Sequence, residues 1–130
     1  MSGHVASQPL PTERSVQRAI LRAAGLLYPR VFITAIPNGA HLAGNRTARF
    51  KQMGALKGDG LKVGFPDLLC LWDGGDKLLE VKRPKQGRVS EEQEKMHARL
   101  AGHGWPVSIV ASVEQAMEAL DSAGAPRGQA

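Results

Sequence analysis

The stretch "GFPDLLCLWDGGDKLLEVKRPK" (64–85) decides the fold. Two apolar runs flank a Gly-Gly pair, the pattern of a β-hairpin with strands at 67–72 and 77–82 and a turn at 73–76. Both strands are apolar on their two alternating faces, as strands between covering layers are. Three charges break the pattern. Asp67 opens the first strand, Glu80 interrupts the second, and Lys82 follows two residues later. With Asp73-Gly74-Gly75-Asp76 as the turn, Asp67 faces Lys82 and Leu69 faces Glu80. Side chains alternate along a strand, so Asp67, Glu80 and Lys82 project from one face at the open end of the hairpin. A slip of one residue would send them to opposite faces. Two carboxylates and an ammonium are costly to bury without partners. Two readings follow: a solvated strand end with an Asp67–Lys82 pair contributing less than about 1 kcal/mol, or a functional site.

The flanking elements complete an α/β pattern. Thr12 is an N-cap for a helix running to about Leu27, with Val16, Ile20, Ala24 and Leu27 as its apolar stripe and Arg14, Arg18 and Arg22 opposite. Pro29 ends it. "RVFITAI" (30–36) is a strand closed by Pro37-Asn38-Gly39. Ser90 and Gln93 form the capping pattern of a helix that extends to His103. "PVSIVA" (106–111) is a short strand, and Ser112 with Gln115 caps a last helix at 113–121. Residues 40–64 show no clean period, so the segment is either a functional loop or partly helical. It is rich in glycine and carries Arg46, Arg49, Lys51, Lys57 and Lys62 against one acid, Asp59. The order α-β-(irregular)-β-β-α-β-α predicts a mixed sheet flanked by helices, in one domain at 11–121 between flexible segments 1–10 and 122–130.

Composition sets the class. A chain of 130 residues suits a single core. No apolar run is long enough to span a membrane, and the N-terminus has no hydrophobic signal core. Cys70, the only cysteine, sits in a strand, which predicts an inert buried thiol in a reducing cytoplasm. The net charge of +5 favours a polyanionic partner such as nucleic acid. Trp72 and Trp105 are read as core, and His97 as a packed helix residue. Nothing assigns His41 or His103.

Two more polar groups are oriented by their helices. Glu13 lies in the middle of the first helix's apolar stripe, pointing at the sheet, although a first-turn acid also complements the helix dipole. Gln93 shares the face of Met96, His97 and Leu100, although its capping role accounts for it equally well. A set of carboxylates suits Mg2+ or Mn2+. Such a cation beside a lysine suits phosphodiester hydrolysis, with the metal polarising phosphate and acidifying water and the lysine stabilising developing charge.

Pro66-Asp67, twelve residues, then Glu80-Val81-Lys82 resembles the PD-(D/E)xK nuclease signature. The helix-1 Glu13, "PNG", "GFPDLL", "LLEVKRP" and the S-x-x-Q cap together resemble the small standalone VRR-NUC nucleases of phages and bacteria, over roughly 12–120. The resemblance implies a PD-(D/E)xK (restriction-endonuclease-like) core of order α-β-β-β-α-β-α. It implies Mg2+ or Mn2+ held by Asp67, Glu80, the Val81 carbonyl and, directly or through water, Glu13. Lys82 would be the catalytic lysine, with Gln93 beside the metal shell or on the scissile phosphate. Arg46, Arg49, Lys51, Lys57, Lys62, Arg83 and Lys85 would contact DNA. The implied activity is endonucleolytic cleavage of branched DNA by a homodimer resembling Holliday-junction resolvases, in the cytoplasm of a bacterial cell or phage-infected host. The rivals are a restriction or nicking enzyme with the same site, and a non-catalytic DNA-binding module with the same fold. The intact Asp67/Glu80/Lys82 set speaks against the second rival.

Overall fold

The computed structural model describes residues 9–37 and 43–128. The expectations for 1–8, for Asn38, Gly39 and His41, and for 129–130 lie outside them. Helix α1 (Glu13–Leu27) starts where predicted, with the Thr12 hydroxyl accepting the Ser15 N–H at 3.0 Å. Such a cap contributes about 1 kcal/mol. Val16, Ile20 and Ala24 recur every four residues and are buried. The next position in that stripe is Tyr28, which is fully buried, whereas the predicted Leu27 is 39% exposed. Strand β1 (Phe32–Ala35) follows, then helix α2 (Arg46–Gly58), the hairpin β2 (Leu68–Trp72) and β3 (Gly75–Val81), helix α3 (Glu91–Gly102), strand β4 (Val107–Val110) and helix α4 (Val113–Ser122).

The four strands form one mixed sheet in the order β1-β2-β3-β4. The first three are antiparallel, and β4 runs parallel to β3 because α3 carries the chain back across the sheet. One face packs Leu68, Cys70, Leu79, Val81 and Val110 against Val16, Ile20 and Ala24 of α1 and Ala116, Met117 and Leu120 of α4. Burial pushes the Cys70 thiol up to about 12, which keeps it un-ionised. Helix α3 lies on the opposite face, its side chains reaching Glu80.

Three expectations change, and one reading left open is settled. The turn residues are Asp73-Gly74, not Gly74-Gly75, since Trp72 pairs with Gly75 and Leu68 with Leu79. Gly74 takes the positive φ (+92°) that the turn needs. A side chain at Gly75 would collide with the Trp72 indole, 2.5 Å from its Nε1. The ladder therefore places Asp67 opposite Glu80 rather than Lys82. Segment 40–64, read as either a functional loop or partly helical, contains helix α2, capped by the Asn45 side chain on the Ala48 N–H at 2.9 Å. Trp105, read as core, is 49% exposed.

The third change is the C-terminal segment, expected as a flexible tail from 122. As far as Gly128 it packs on the fold. Ala125 joins the core, and the Gly128 N–H donates to the Leu27 carbonyl at 2.8 Å. Arg127 pairs with Asp121 at 2.7 Å and lies 4.8 Å above the Tyr28 ring. The Tyr28 hydroxyl donates to Asp121 at 2.6 Å and to the Met117 carbonyl at 3.1 Å. The Arg127 and Tyr28 hydrogen bonds hold the Asp121 carboxyl down at about 2. A composition rich in small residues hid this clasp.

Candidate active site

Asp67 sits at the mouth of β2, one residue after the buried Pro66. Its carbonyl accepts the Ile36 N–H at 2.8 Å, which ties it to the end of β1. Its Oδ2 accepts the Val81 N–H at 2.8 Å. That bond replaces a ladder bond by a side-chain bond and aims the carboxyl at β3. Glu80 and Lys82 alternate with the core-facing Leu79 and Val81, so both face α3. Glu80 is 1% exposed and Lys82 8%. They are the two buried charged groups among the described residues.

The shift of register by two residues preserves face parity. Asp67, Glu80 and Lys82 stand on one face, as the alternation required. Burial, then a hydrogen bond to Asp67 and its charge, push the Glu80 carboxyl up to about 9, with Lys82 opposing and Glu13 adding to the rise. Lys82 Nζ is 4.0 Å from Glu80 Oε2. Val81 belongs to both acids: it follows Glu80, and its N–H holds Asp67.

Gln93 both caps α3 and contacts the buried charges. Its Oε1 accepts the Ser90 N–H at 2.9 Å, closing the capping box, and also accepts from Lys82 Nζ at 2.8 Å. Its Nε2 donates to Glu80 Oε2 at 3.2 Å. One amide therefore locks the start of α3 to the buried lysine and acid. His97, one turn on, places Nε2 3.0 Å from the other Glu80 oxygen. Burial, then the Lys82 charge, lower its pKa, favouring the neutral ring. A neutral imidazole donates to an ionised Glu80 or accepts from a protonated one. The sequence reading put His97 on the correct face but missed its role. The available signal was its spacing of four from Gln93.

Glu13 is exposed at the first turn of α1, so its helical position does not bury it, yet its charge reaches Glu80. Arg46, Arg49, Lys51 and Lys57 lie exposed on α2, with Lys62 exposed beyond it. Arg83 is half-buried and its Nε finds no hydrogen-bond partner. Lys85 is exposed in the turn after β3, at a positive φ of 64°.

Gly64 sets the distance between the β2 approach and α3. At φ +83°, a Cβ there would lie 2.5 Å from the Glu92 carbonyl oxygen and 3.0 Å from the Gln93 nitrogen. Gly64→Ala is expected to cost about 1–3 kcal/mol. It should lower the thermal midpoint measured by circular dichroism and reduce any activity that depends on Gln93. An unchanged midpoint would show that this approach is not constrained.

The donor set fits a hard divalent cation. Among the described residues, no group of three or more His, Cys, Asp or Glu forms a ready-made metal cage. Mg2+ does not require one, because it is commonly held by one or two carboxylates with waters and substrate phosphate completing the shell. Asp67 and Glu80 hydrogen-bond to each other, and a cation between them would relieve their mutual repulsion.

A family model described as the VRR-NUC domain matches residues 12–114. No curated protein matches the sequence. A solved structure described as a "VRR_NUC domain protein" superposes with a TM-score of 0.61 at 17% identity, covering 90% of this chain and 91% of that one. At that identity the likeness concerns the fold.

Proposed function

The chain belongs to the VRR-NUC domain family, and from that membership we propose that it is an endonuclease, dependent on Mg2+ or Mn2+, that cuts branched or otherwise structured DNA. The family implies a nuclease-type, DNA-processing function. The observation that supports the finer reading is the convergence of Asp67, Glu80 and Lys82 on one sheet face, braced by Gln93 and His97.

Asp67, Glu80 and the Val81 carbonyl would hold the cation, with Glu13 adding charge from the rim. When bound, such a cation supplies Lewis-acid polarisation of the phosphate and an acidified water. Lys82, pinned by Gln93, keeps its ammonium directed where negative charge grows on the phosphate. Gln93 keeps that geometry fixed before substrate arrives, which avoids reorganisation during reaction. His97 orients Glu80 by holding its second oxygen.

A homodimer matches the two symmetric cuts of a four-way junction. No described helix is long and apolar enough to cross a membrane, and we place the enzyme in the cytoplasm. The test is a panel of four-way junctions, flaps and linear duplexes incubated with Mg2+ or Mn2+. Cleavage of branched DNA in preference to duplex is the expected result. Sequence-specific cutting of linear duplex would favour a restriction or nicking enzyme. No cleavage of any substrate would end the nuclease reading.

A further inference from the structure

Helix α2 has no place in the catalytic geometry, and it buries none of its side chains. Over 13 residues it carries four cations, Arg46, Arg49, Lys51 and Lys57, and no acid. By contrast, α3 has three acids in its first turn. Half-buried Gln52, Met53 and Leu56 turn α2 toward the fold, with Gln52 Nε2 donating to the Ala43 carbonyl at 2.8 Å. Arg46, Phe50 and Lys57 are exposed along one stripe of the helix, spaced by four and seven residues, with half-buried Met53 between the last two. Phe50 is 80% exposed.

One exposed aromatic is ordinary on a protein surface. Its setting is not. Cations flank it along the helix and on both sides in sequence, and one turn away stands Gly54. A Cβ at Gly54 would meet nothing within 4 Å, so internal packing does not require a glycine there. A glycine inside a helix costs about 0.5–1 kcal/mol relative to alanine.

The helix is also joined to the acidic site. Its last turn leads to Gly64, which seats against the first turn of α3 at Gln93, three residues before Asp67. Leu56 of α2 lines an apolar groove of about 470 Å³ with Ile36, Leu61 and Phe65. Ile36 is the residue whose N–H holds the Asp67 carbonyl.

We propose that α2 is a DNA-reading arm in which Phe50 stacks on a base exposed at a branch while its cations contact flanking phosphates. The proposal rests on the DNA-processing reading and names the group that selects the substrate. Bases within a continuous duplex have both faces stacked. A branch or flap exposes one within the DNA. An aromatic platform therefore strengthens binding only to structured DNA, whereas phosphate contacts strengthen binding to all DNA.

The test measures binding by fluorescence anisotropy in EDTA, on a four-way junction, a flap and a linear duplex of equal length. Phe50→Ala is expected to weaken binding to branched DNA about tenfold and to leave duplex binding unchanged. Phe50→Trp should restore the preference. Arg46→Ala should weaken binding to all three and reduce the salt dependence by about one unit of slope. The proposal is overturned if Phe50→Ala leaves the branched-to-linear ratio unchanged. It is also overturned if that variant changes the protein's mass in solution, since Phe50 would then join copies of the chain. Because the assay needs no catalysis, the two ideas fail separately. A wild type that discriminates through Phe50 but cuts nothing sinks only the nuclease reading. One that cuts but binds independently of Phe50 sinks only this proposal.

Discussion

Lys82→Ala is expected to reduce cleavage of the preferred DNA by at least about a hundred- to a thousandfold, the effect of removing one fixed electrostatic stabiliser of a transition state. The fold should survive. The Lys82 backbone N–H donates to the Val110 carbonyl at 2.9 Å, a bond that alanine keeps. Gln93 Oε1 loses the ammonium but keeps the Ser90 N–H, so the capping box remains closed. Binding should change little, because most of the affinity for DNA comes from exposed cations and Lys82 is buried. Lys82→Arg should not rescue. The Lys82 Cβ lies only 2.7 Å from where a Cβ on Gly87 would stand, so the loop closes directly over this side chain. A planar guanidinium also cannot stand in for a compact ammonium against Gln93. Cleavage and anisotropy measured together on one substrate decide the matter. If Lys82→Ala cuts like wild type, Lys82 takes no part in the chemistry.

The common face of the three candidate-site charges was legible in the sequence because that information is carried by parity. The hairpin turn was misplaced by one residue, which shifts the strand register by two, so Asp67, Glu80 and Lys82 kept a common face. Only the pairing changed, from Asp67 opposite Lys82 to Asp67 opposite Glu80. The helix starts at Thr12, Ser90 and Ser112 were legible for a similar reason, since a cap is a local hydrogen bond written within four residues. What was hidden depends on distant partners. Tyr28 reads as a residue after a helix, until Met117 and Asp121 receive its hydroxyl. His97 reads as packing, until Glu80 arrives from another element. Loop and helix could not be told apart at α2 because it buries no side chain, and an apolar period exists only where a face must be buried. Glu13 shows the converse. Its position in the stripe pointed inward, but at the first turn it remains exposed, and only its charge reaches the site.

Glu80→Gln is expected to move activity and stability in opposite directions. Cleavage should fall about as far as for Lys82→Ala, because an amide is a poor ligand for a hard divalent cation. In the metal-free protein the same change should stabilise. The Glu80 carboxyl, lifted mainly by burial and then by its contact with Asp67, ionises only near pH 9, against an ordinary 4.5. Below about pH 4.5 it is protonated whether the chain is folded or not, and the burial carries no ionisation cost. Between there and about 9 the unfolded chain releases the proton while the folded chain keeps it, so wild-type stability declines as pH rises. The neutral amide has no such proton to hold, and it can still hydrogen-bond His97 and Asp67. Metal-free Glu80→Gln should therefore melt roughly 5 °C or more above wild type at pH 8, and close to it at pH 4. Adding Mn2+ reverses the order at pH 8, because binding stabilises only the protein that can hold the ion. Calorimetry with Mn2+ supplies the decisive outcome. If Glu80→Gln binds the ion as tightly as wild type, the cation does not lie between Asp67 and Glu80. A buried acid that weakens the empty fold and is relieved by its ligand is a cost expected at a working site, where function and stability compete for the same residue.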